Sequence, residues 1–460
     1  MKNIDSKNRI FVNRTLNMNS IKLIGFDMDY TLVTYNVPAF EEKAFDIIKR
    51  KLIKDFSYPT EIESFEFNKD FIIRGLVLDT ESGDVLKVNR YGYVRKATHG
   101  TKPLTFEELR DKYGVNSIDL TDKRYSIVHT MFSQAEGWMF ALLVDYLDSK
   151  GHTNYAKMFE HVKHCLNSAH MEPELKGDVV AHPEKYLLPD KRIVDALIKF
   201  KKFGKKLALI TNSDYVYSNK VMNQCFGKFL KTPWQKLFDL IIVASHKPEF
   251  FTGRNMFLKV DPETGLLSNF YGQLEWGGIY QGGNAAFIEK CFDIAPSEIL
   301  YMGDHILGDV VTLKKTIGWR TGLVVQELEQ EVPILEKTQK IHKIIAQKMA
   351  EKEDLEDTSL DYREKLWLKE NAKVNRQKWE EIKEKMMKLD EELRNLIDES
   401  QAGFNPIWGE VMRTGNEVSR FATLVERYAC IYMSSIGCLS YYSPYKYFRS
   451  QRRFLAHDPK

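Results

Sequence analysis

Two aspartates one residue apart stand where an apolar run ends: Ile21-Lys22-Leu23-Ile24-Gly25-Phe26-Asp27-Met28-Asp29-Tyr30-Thr31. The run is rich in β-branched and aromatic residues and stops at a carboxylate, as a buried parallel strand should. Asp27 is then expected at the carboxyl edge of a sheet, where open α/β folds bind ligands. Two carboxylates so placed are the front half of a phosphoryl-transfer site, one to attack phosphorus and one to move the proton. Three later segments repeat the pattern of an apolar strand with a polar end: Lys206-Leu207-Ala208-Leu209-Ile210-Thr211-Asn212-Ser213, then Phe238 to Ala244 leading to Lys247-Pro248, then Ile299-Leu300-Tyr301-Met302-Gly303-Asp304-His305-Ile306-Leu307-Gly308-Asp309. Each alone reads equally well as a turn, a helix cap or a solvated lysine. In this order, on consecutive strand ends, they make one site.

The order and residue types resemble the haloacid dehalogenase (HAD) superfamily of aspartate-nucleophile phosphatases, and within it the cytosolic purine 5′-nucleotidase family. The resemblance rests on Asp27-Met28-Asp29-Tyr30-Thr31-Leu32, Thr211-Asn212-Ser213-Asp214-Tyr215, Lys247-Pro248 with Phe250-Phe251, and Gly303-Asp304-His305-Ile306 with Gly308-Asp309. Further shared stretches lie outside the site, including Arg74-Gly75-Leu76-Val77-Leu78-Asp79-Thr80, His99-Gly100, Gly318-Trp319-Arg320-Thr321 and Tyr441-Tyr442-Ser443-Pro444-Tyr445. The resemblance implies an α/β fold, a HAD-like doubly wound (Rossmannoid) parallel sheet with an inserted α+β cap domain and a helical C-terminal extension.

The chemistry sets its own demands. A phosphate monoester carries close to two negative charges at pH 7. Holding it about 4 Å from the Asp27 carboxylate costs roughly 8 kcal/mol at an effective dielectric of 20. Mg²⁺ is the natural remedy, because it takes oxygen ligands and is usually held by one or two carboxylates plus substrate phosphate. Asp27 and Asp304 are the candidate side-chain ligands. Lys247 would add a second cation at the phosphoryl oxygens, and Thr211 with the following backbone N–H groups would supply neutral donors. Asp27 is thus the expected nucleophile, and Asp29 the acid that protonates the leaving oxygen and then the base for water. The resemblance adds the backbone carbonyl of Asp29 and a supporting Asp309 to the metal set. It also implies substrate contacts at Asn212, Ser213, Thr101, Lys102, Lys163 and Asn167. There the chain departs from relatives described as preferring inosine and guanosine monophosphates: Thr101 and Lys102 replace an aromatic residue and Asn, and Lys163 and Asn167 replace Arg and Asp. Lys lacks Arg's planar two-pronged contact, and Asn can donate as well as accept.

The elements that must position these residues divide as residues 1–35 with 190–330 for the catalytic core, 36–189 for the cap, and 331–460 for a helical extension packing on the core and at an oligomer interface. The interval from Thr31 to Lys206 is too long for a crossover within a doubly wound sheet. It holds strand-like runs at 75–79 and 84–88 joined through Glu81-Ser82-Gly83, which reads as a hairpin, and helical stretches from Ala135 to Leu147 and Tyr155 to His170. From about Leu335 to Ser400 Glu and Lys dominate, with apolar residues at amphipathic-helix spacing. A break follows at Ala402-Gly403-Phe404-Asn405-Pro406, and an apolar, aromatic segment from Val418 to Phe448 is expected to pack back on the core.

Composition narrows the class. The 460 residues allow a substantial core and more than one structural unit. With 67 basic against 64 acidic residues, no strong global field points to nucleic acid. The basic cluster Lys446, Arg449, Arg452 and Arg453 reads as a solvated tail. Five cysteines without zinc spacing fit free thiols in a reducing compartment. The polar start gives no signal peptide and no apolar run is long enough to span a bilayer, so a cytoplasmic protein without membrane or nucleic-acid partners is expected. No Walker A loop, His-Glu-x-x-His or Gly-x-Gly-x-x-Gly fingerprint occurs.

The function expected is a Mg²⁺-dependent 5′-nucleotidase acting on nucleoside monophosphates, chiefly the purine nucleotides IMP and GMP, in a homo-oligomer (dimer or tetramer). Transfer of the phosphoryl group to a nucleoside needs only another acceptor in place of water. Two alternatives stay open: a phosphatase of sugar or other small phosphate esters, and a non-catalytic nucleotide sensor, which would not require Asp29.

Overall fold

A computed structural model describes residues 4–114, 117–452 and 458; Arg453 lies outside the described residues. Contacts divide the chain into Met1–Leu328 with Val411–Lys460, and Glu329–Glu410.

The first unit is organised by a ten-stranded sheet. Its parallel part runs, across the sheet, Ile431–Met433, Arg320–Val324, Ile299–Gly303, Leu23–Phe26, Lys206–Ile210, Leu240–Val243 and Gly278–Gly282. Antiparallel strands close both sides: Phe11–Val12 beyond Ile431–Met433, and Phe257–Val260 then Leu267–Asn269 beyond Gly278–Gly282. The central strands are apolar throughout because both faces are covered; Leu23, Ile24 and Phe26 are fully buried, each contributing about 2 kcal/mol by leaving water. The chain moves outward from Leu23–Phe26 through Lys206–Ile210, Leu240–Val243 and Gly278–Gly282, then returns to the other side of the first strand at Ile299–Gly303. That reversal opens a crevice at the carboxyl ends of neighbouring strands, where doubly wound sheets bind ligands. Asp27 and Asp304 flank it. The parallel doubly wound sheet with an α+β insert is the α/β architecture the sequence implied.

Within this unit the insert departs from and returns to the sheet-bearing part side by side, where Tyr35 pairs with Leu187, Asn36 N–H donates to the Tyr186 carbonyl at 2.8 Å and Leu188 N–H to that of Thr34 at 2.8 Å. It carries a five-stranded antiparallel sheet in the order Lys102–Pro103, Val94–His99, Asp84–Val88, Val77–Asp79, Tyr125–Ile127. The expected hairpin forms at Val77–Asp79 and Asp84–Val88, with Gly83 in the left-handed region at φ 76°. Helices Val37–Phe56, Gln134–Ser149 and Tyr155–Met171 pack on one another, and Gln134–Ser149 lies against strand Val94–His99. Further anchors tie the insert to the C-terminal segment: Arg90 N–H donates to the Val418 carbonyl at 2.9 Å, and Arg95 pairs with Glu417 at 3.0 Å.

The expectation of one helical extension over 331–460 needs correction. Only Glu329–Glu410 forms the second unit, and Val411–Lys460 belongs to the first, placing Ile431–Met433 inside the sheet. A three-residue strand is too short for its alternation to be read from sequence. In the second unit, helices Leu328–Trp367 and Ala372–Gln401 run as a hairpin. Ile382, Leu389 and Leu393 are buried, Lys352 pairs with Asp390 at 2.6 Å, and Trp379 Nε1 donates to Ser359 Oγ at 3.0 Å. Among the described residues no helix is long and apolar enough to cross a membrane.

Candidate active site

Asp27 continues its strand by one ladder bond, its N–H donating to the Met302 carbonyl at 2.9 Å, which fixes the backbone and leaves the carboxylate over the sheet edge. Carboxylate oxygens of Asp27, Asp304 and Asp309 lie within 4.8 Å of one another. Two glycines make this approach possible. A Cβ on Gly303 would stand 2.1 Å from Asp309 Oδ2, and one on Gly25 would meet the Tyr301 ring at 2.8 Å. Asp309 therefore folds back against the strand end, while the Tyr301 ring crosses the neighbouring strand.

Lys247 is held between the carboxylates. Its ammonium lies 2.8 Å from Asp27 Oδ1 and 2.9 Å from Asp309 Oδ1, and donates to the Tyr301 hydroxyl at 2.7 Å. Those three contacts use its three protons. Tyr301 passes its own proton to the Ile210 carbonyl at 3.0 Å. Burial alone would lower the Lys247 pKa, but Asp27 and Asp309 overcome it and hold the ammonium above its usual range. One buried cation among three carboxylates leaves the cluster short of positive charge. Burial pushes Asp27 up to about 7 despite Lys247, and burial followed by repulsion from Asp27 and Asp309 drives Asp304 well above the ordinary carboxylate range. An oxygen-rich, buried, charge-deficient cluster fits a small divalent cation such as Mg²⁺.

Asp29 stands apart from that cluster in its partners. Its Oδ1 accepts from the Tyr35 hydroxyl at 2.6 Å and its Oδ2 from Ser213 Oγ at 2.8 Å. Because Tyr35 gives its proton to Asp29, the 3.0 Å contact between Tyr35 and Tyr217 is donated by Tyr217. Burial raises the Asp29 pKa, and the two hydroxyls oppose the rise. A carboxyl group tuned toward neutrality while still able to ionise suits a proton donor that later becomes an acceptor. Beside it lie Tyr30, Tyr35, Phe40, Phe132 and His170, with Tyr30–Phe132 centroids 4.4 Å apart and Phe132–His170 5.2 Å apart.

A model of the 5′-nucleotidase family matches residues 10–460. The chain belongs to this family. As a 5′-nucleotidase-family phosphatase it is 30% identical over 464 residues to human 5′-nucleotidase domain-containing protein 2, across 98% of this chain and 85% of the relative. The rat protein of the same name is 29% identical over 462 residues, covering 98% and 80%. A solved structure of a predicted phosphoglycolate phosphatase from Haemophilus somnus aligns with 66% of this chain and 86% of its own at 14% identity and a TM-score of 0.28, a level that bears on neither fold nor substrate.

Within this nucleotidase-family chain, Asp27, Lys247, Asp304 and Asp309 come together, and Asp29 joins them through the short turn after the first strand. Thr211, fully buried, accepts from Ser213 N–H at 3.1 Å. Ser213 points at Asp29. Asn212 braces the lysine loop: its Oδ1 accepts from Lys247 N–H at 2.6 Å and Ser245 Oγ at 2.9 Å, and its Nδ2 donates to the Lys247 carbonyl at 3.0 Å. The insert residues lie elsewhere. Thr101 is bonded to Asp145, Oγ1 to Oδ2, at 2.5 Å, while Lys102, Lys163 and Asn167 are exposed. Among the described residues, none of these four is hydrogen-bonded to the carboxylate cluster or to Asp29. Sequence reasoning gave no role to Tyr35, Tyr217 or Tyr301. Tyr301 alone left a signal, a tyrosine in an otherwise aliphatic central strand opposite Gly25.

Proposed function

We propose that this chain is a Mg²⁺-dependent 5′-nucleotidase that releases phosphate from nucleoside 5′-monophosphates, purine nucleotides such as IMP and GMP foremost, through an aspartyl-phosphate on Asp27. The observation that carries the reading is the convergence of Asp27, Asp304 and Asp309 around Lys247, with Asp29 held by two hydroxyls two residues from the nucleophile. In the first half, an Asp27 oxygen forms a bond to phosphorus as the bond to the 5′-oxygen breaks, and Asp29 gives its proton to that oxygen. In the second, Asp29 takes a proton from water, which attacks the same phosphorus and returns Asp27 as a carboxylate. Lys247 and the Thr211 hydroxyl stabilise the phosphoryl oxygens. Bound Mg²⁺, held by Asp27, Asp304 and the Asp29 carbonyl with Asp309 in support, would offset the charge of phosphate and carboxylates.

The aromatic group beside Asp29 supports a nucleoside leaving group, since Phe132 and His170 are its partly exposed members. A second reading, a phosphatase of sugar or other small esters, draws on the exposure of Lys163 and Asn167 and on the engagement of Thr101 by Asp145. Phosphate release from purine and pyrimidine monophosphates and sugar phosphates, with Mg²⁺ or with chelator and beside Asp27→Asn, tests both. Purine-selective, Mg²⁺-dependent release lost in Asp27→Asn is expected. Release chiefly from sugar phosphates would establish the second reading, and nucleotide binding without release would leave a sensor. A cytoplasmic homo-oligomer completes the proposal, and a monomer in light scattering would remove that part.

A further inference from the structure

Two residues of the insert reach Asp304. Arg74, only 2% exposed, donates from Nη1 to the main-chain carbonyls of Asp304 at 3.0 Å and Val324 at 3.3 Å. Its other edge grips Glu327, with Nε 3.0 Å from Oε1 and Nη2 bonded to Oε2. The guanidinium also lies over Phe421, 5.4 Å from the ring centroid. Thr130 Oγ1 stands 3.3 Å from Asp304 Oδ2. The two contacts are kept side by side by reciprocal backbone bonds, Gly75 N–H to the Val128 carbonyl at 2.8 Å and Val128 N–H to the Leu76 carbonyl at 2.9 Å. Gly75, at φ 90°, admits Phe421 at a distance no side chain would allow, since a Cβ there would fall 2.6 Å from Phe421 Cβ. Arg74 is thus fixed on every side and turned toward the backbone of one carboxylate residue.

We infer that Arg74, assisted by Thr130, is a positioning residue for the cation site, so that the insert is a structural part of that site. The inference rests on the reading that Asp27 and Asp304 hold a divalent cation. Arg74 fixes the carbonyl of Asp304 and hence the plane from which its side chain departs, and Thr130 fixes one oxygen of that side chain. The guanidinium bonds the main-chain carbonyl of Asp304 rather than its carboxylate, and so takes no side-chain ligand atom from the cation. Its forked geometry, shared between Glu327 and two carbonyls, cannot be reproduced by lysine. Partners of metal ligands typically change metal affinity 10–100-fold when removed. By reciprocity, a cation that orders Asp304 must seat residues 74–76 and 128–130 by the same factor.

The test uses the full chain. Mg²⁺ binding is measured by calorimetry for wild type, Arg74→Lys and Thr130→Val, and hydrogen exchange at Gly75 and Val128 is followed with and without Mg²⁺. Expected are slower exchange at both amides with Mg²⁺, about tenfold or greater weakening of Mg²⁺ binding in Arg74→Lys, and recovery of its phosphate release at saturating Mg²⁺, which a merely misfolded site would not show. If Arg74→Lys does not fold, Thr130→Val and the wild-type exchange decide. Tight Mg²⁺ binding by wild type, with exchange unaltered and the folded variants binding equally, overturns the inference and leaves the cation site standing. Absence of Mg²⁺ binding by wild type overturns both.

Discussion

The hydroxyl pair on Asp29 makes the acid of the proposed reaction open to measurement. Tyr35→Phe keeps the ring in its aromatic neighbourhood and removes the hydroxyl donor whose oxygen lies 2.6 Å from Asp29 Oδ1. A hydrogen bond to a charged acceptor is worth about 1.5–3 kcal/mol, and it favours the ionised carboxylate over the neutral acid. Losing it raises the Asp29 pKa, already above its usual value through burial, by a further 1–2 units at roughly 1.4 kcal/mol per unit. The step that expels the 5′-oxygen needs Asp29 protonated, so the alkaline limb of kcat/KM against pH should move upward by about 1–2 units. Tyr217→Phe removes only the donor behind Tyr35 and should move the limb in the same direction by less. The assay is phosphate release at subsaturating substrate from pH 5 to 10, with each variant's thermal midpoint checked for intact folding. A limb that stays in place in a folded Tyr35→Phe, or moves down, would refute Asp29 as the group that titrates there.

Three other outcomes are expected. Burial lifts Glu41 from 4.5 to about 8, although Ala135 N–H donates to its Oε2 at 2.8 Å. The proton it retains in the fold stabilises fully below pH 4.5, and that share is lost as pH rises through 8. Urea melts should therefore show Glu41→Gln gaining on wild type with rising pH, to at most about 5 kcal/mol, and a gap that narrows would mean an ionised Glu41. Asn212→Ala strips partners from the Lys247 backbone and Ser245, and should cost about 1–3 kcal/mol in stability and reduce phosphate release; unchanged turnover would free the lysine loop from Asn212. Gly303→Ala drives a methyl into Asp309 and should abolish Mg²⁺ binding in calorimetry, while wild-type binding would show that Asp309 can move aside.

The strand ends were legible because each couples an apolar run to a polar residue that elementary chemistry can interpret. Asp27, Thr211, Lys247 and Asp304 are separated widely in sequence, yet one parallel sheet with a reversal of strand order is enough to gather them. The resemblance implies substrate contacts at Asn212 and Ser213, and the fold turns the first side chain to the Lys247 backbone and the second to Asp29. A side chain's direction at a turn depends on backbone geometry that residue type does not encode. The insert was legible as an insert from its length alone. Arg74 was conspicuous only as part of a shared stretch, because its partners Glu327, Val324 and Asp304 come from segments that no local pattern joins to it. Ile431–Met433 was hidden for a different reason, being too short to display a period.

That last strand bears on how the molecule is made. It lies between Arg320–Val324 and Phe11–Val12, so everything from Phe11 to Met433 must be synthesised before that side of the sheet can be completed. Of the sheet's strands Phe11–Val12 is made earliest and waits longest, its hydrogen-bonding edge without a neighbour. Arg74 waits as well, because Phe421 is synthesised in the same late segment. Contacts this distant in sequence close slowly, and an unpaired strand edge is a template for association between nascent chains. A transcript truncated before Ile431 would thus encode every carboxylate of the site and still deliver them on an open, adhesive sheet.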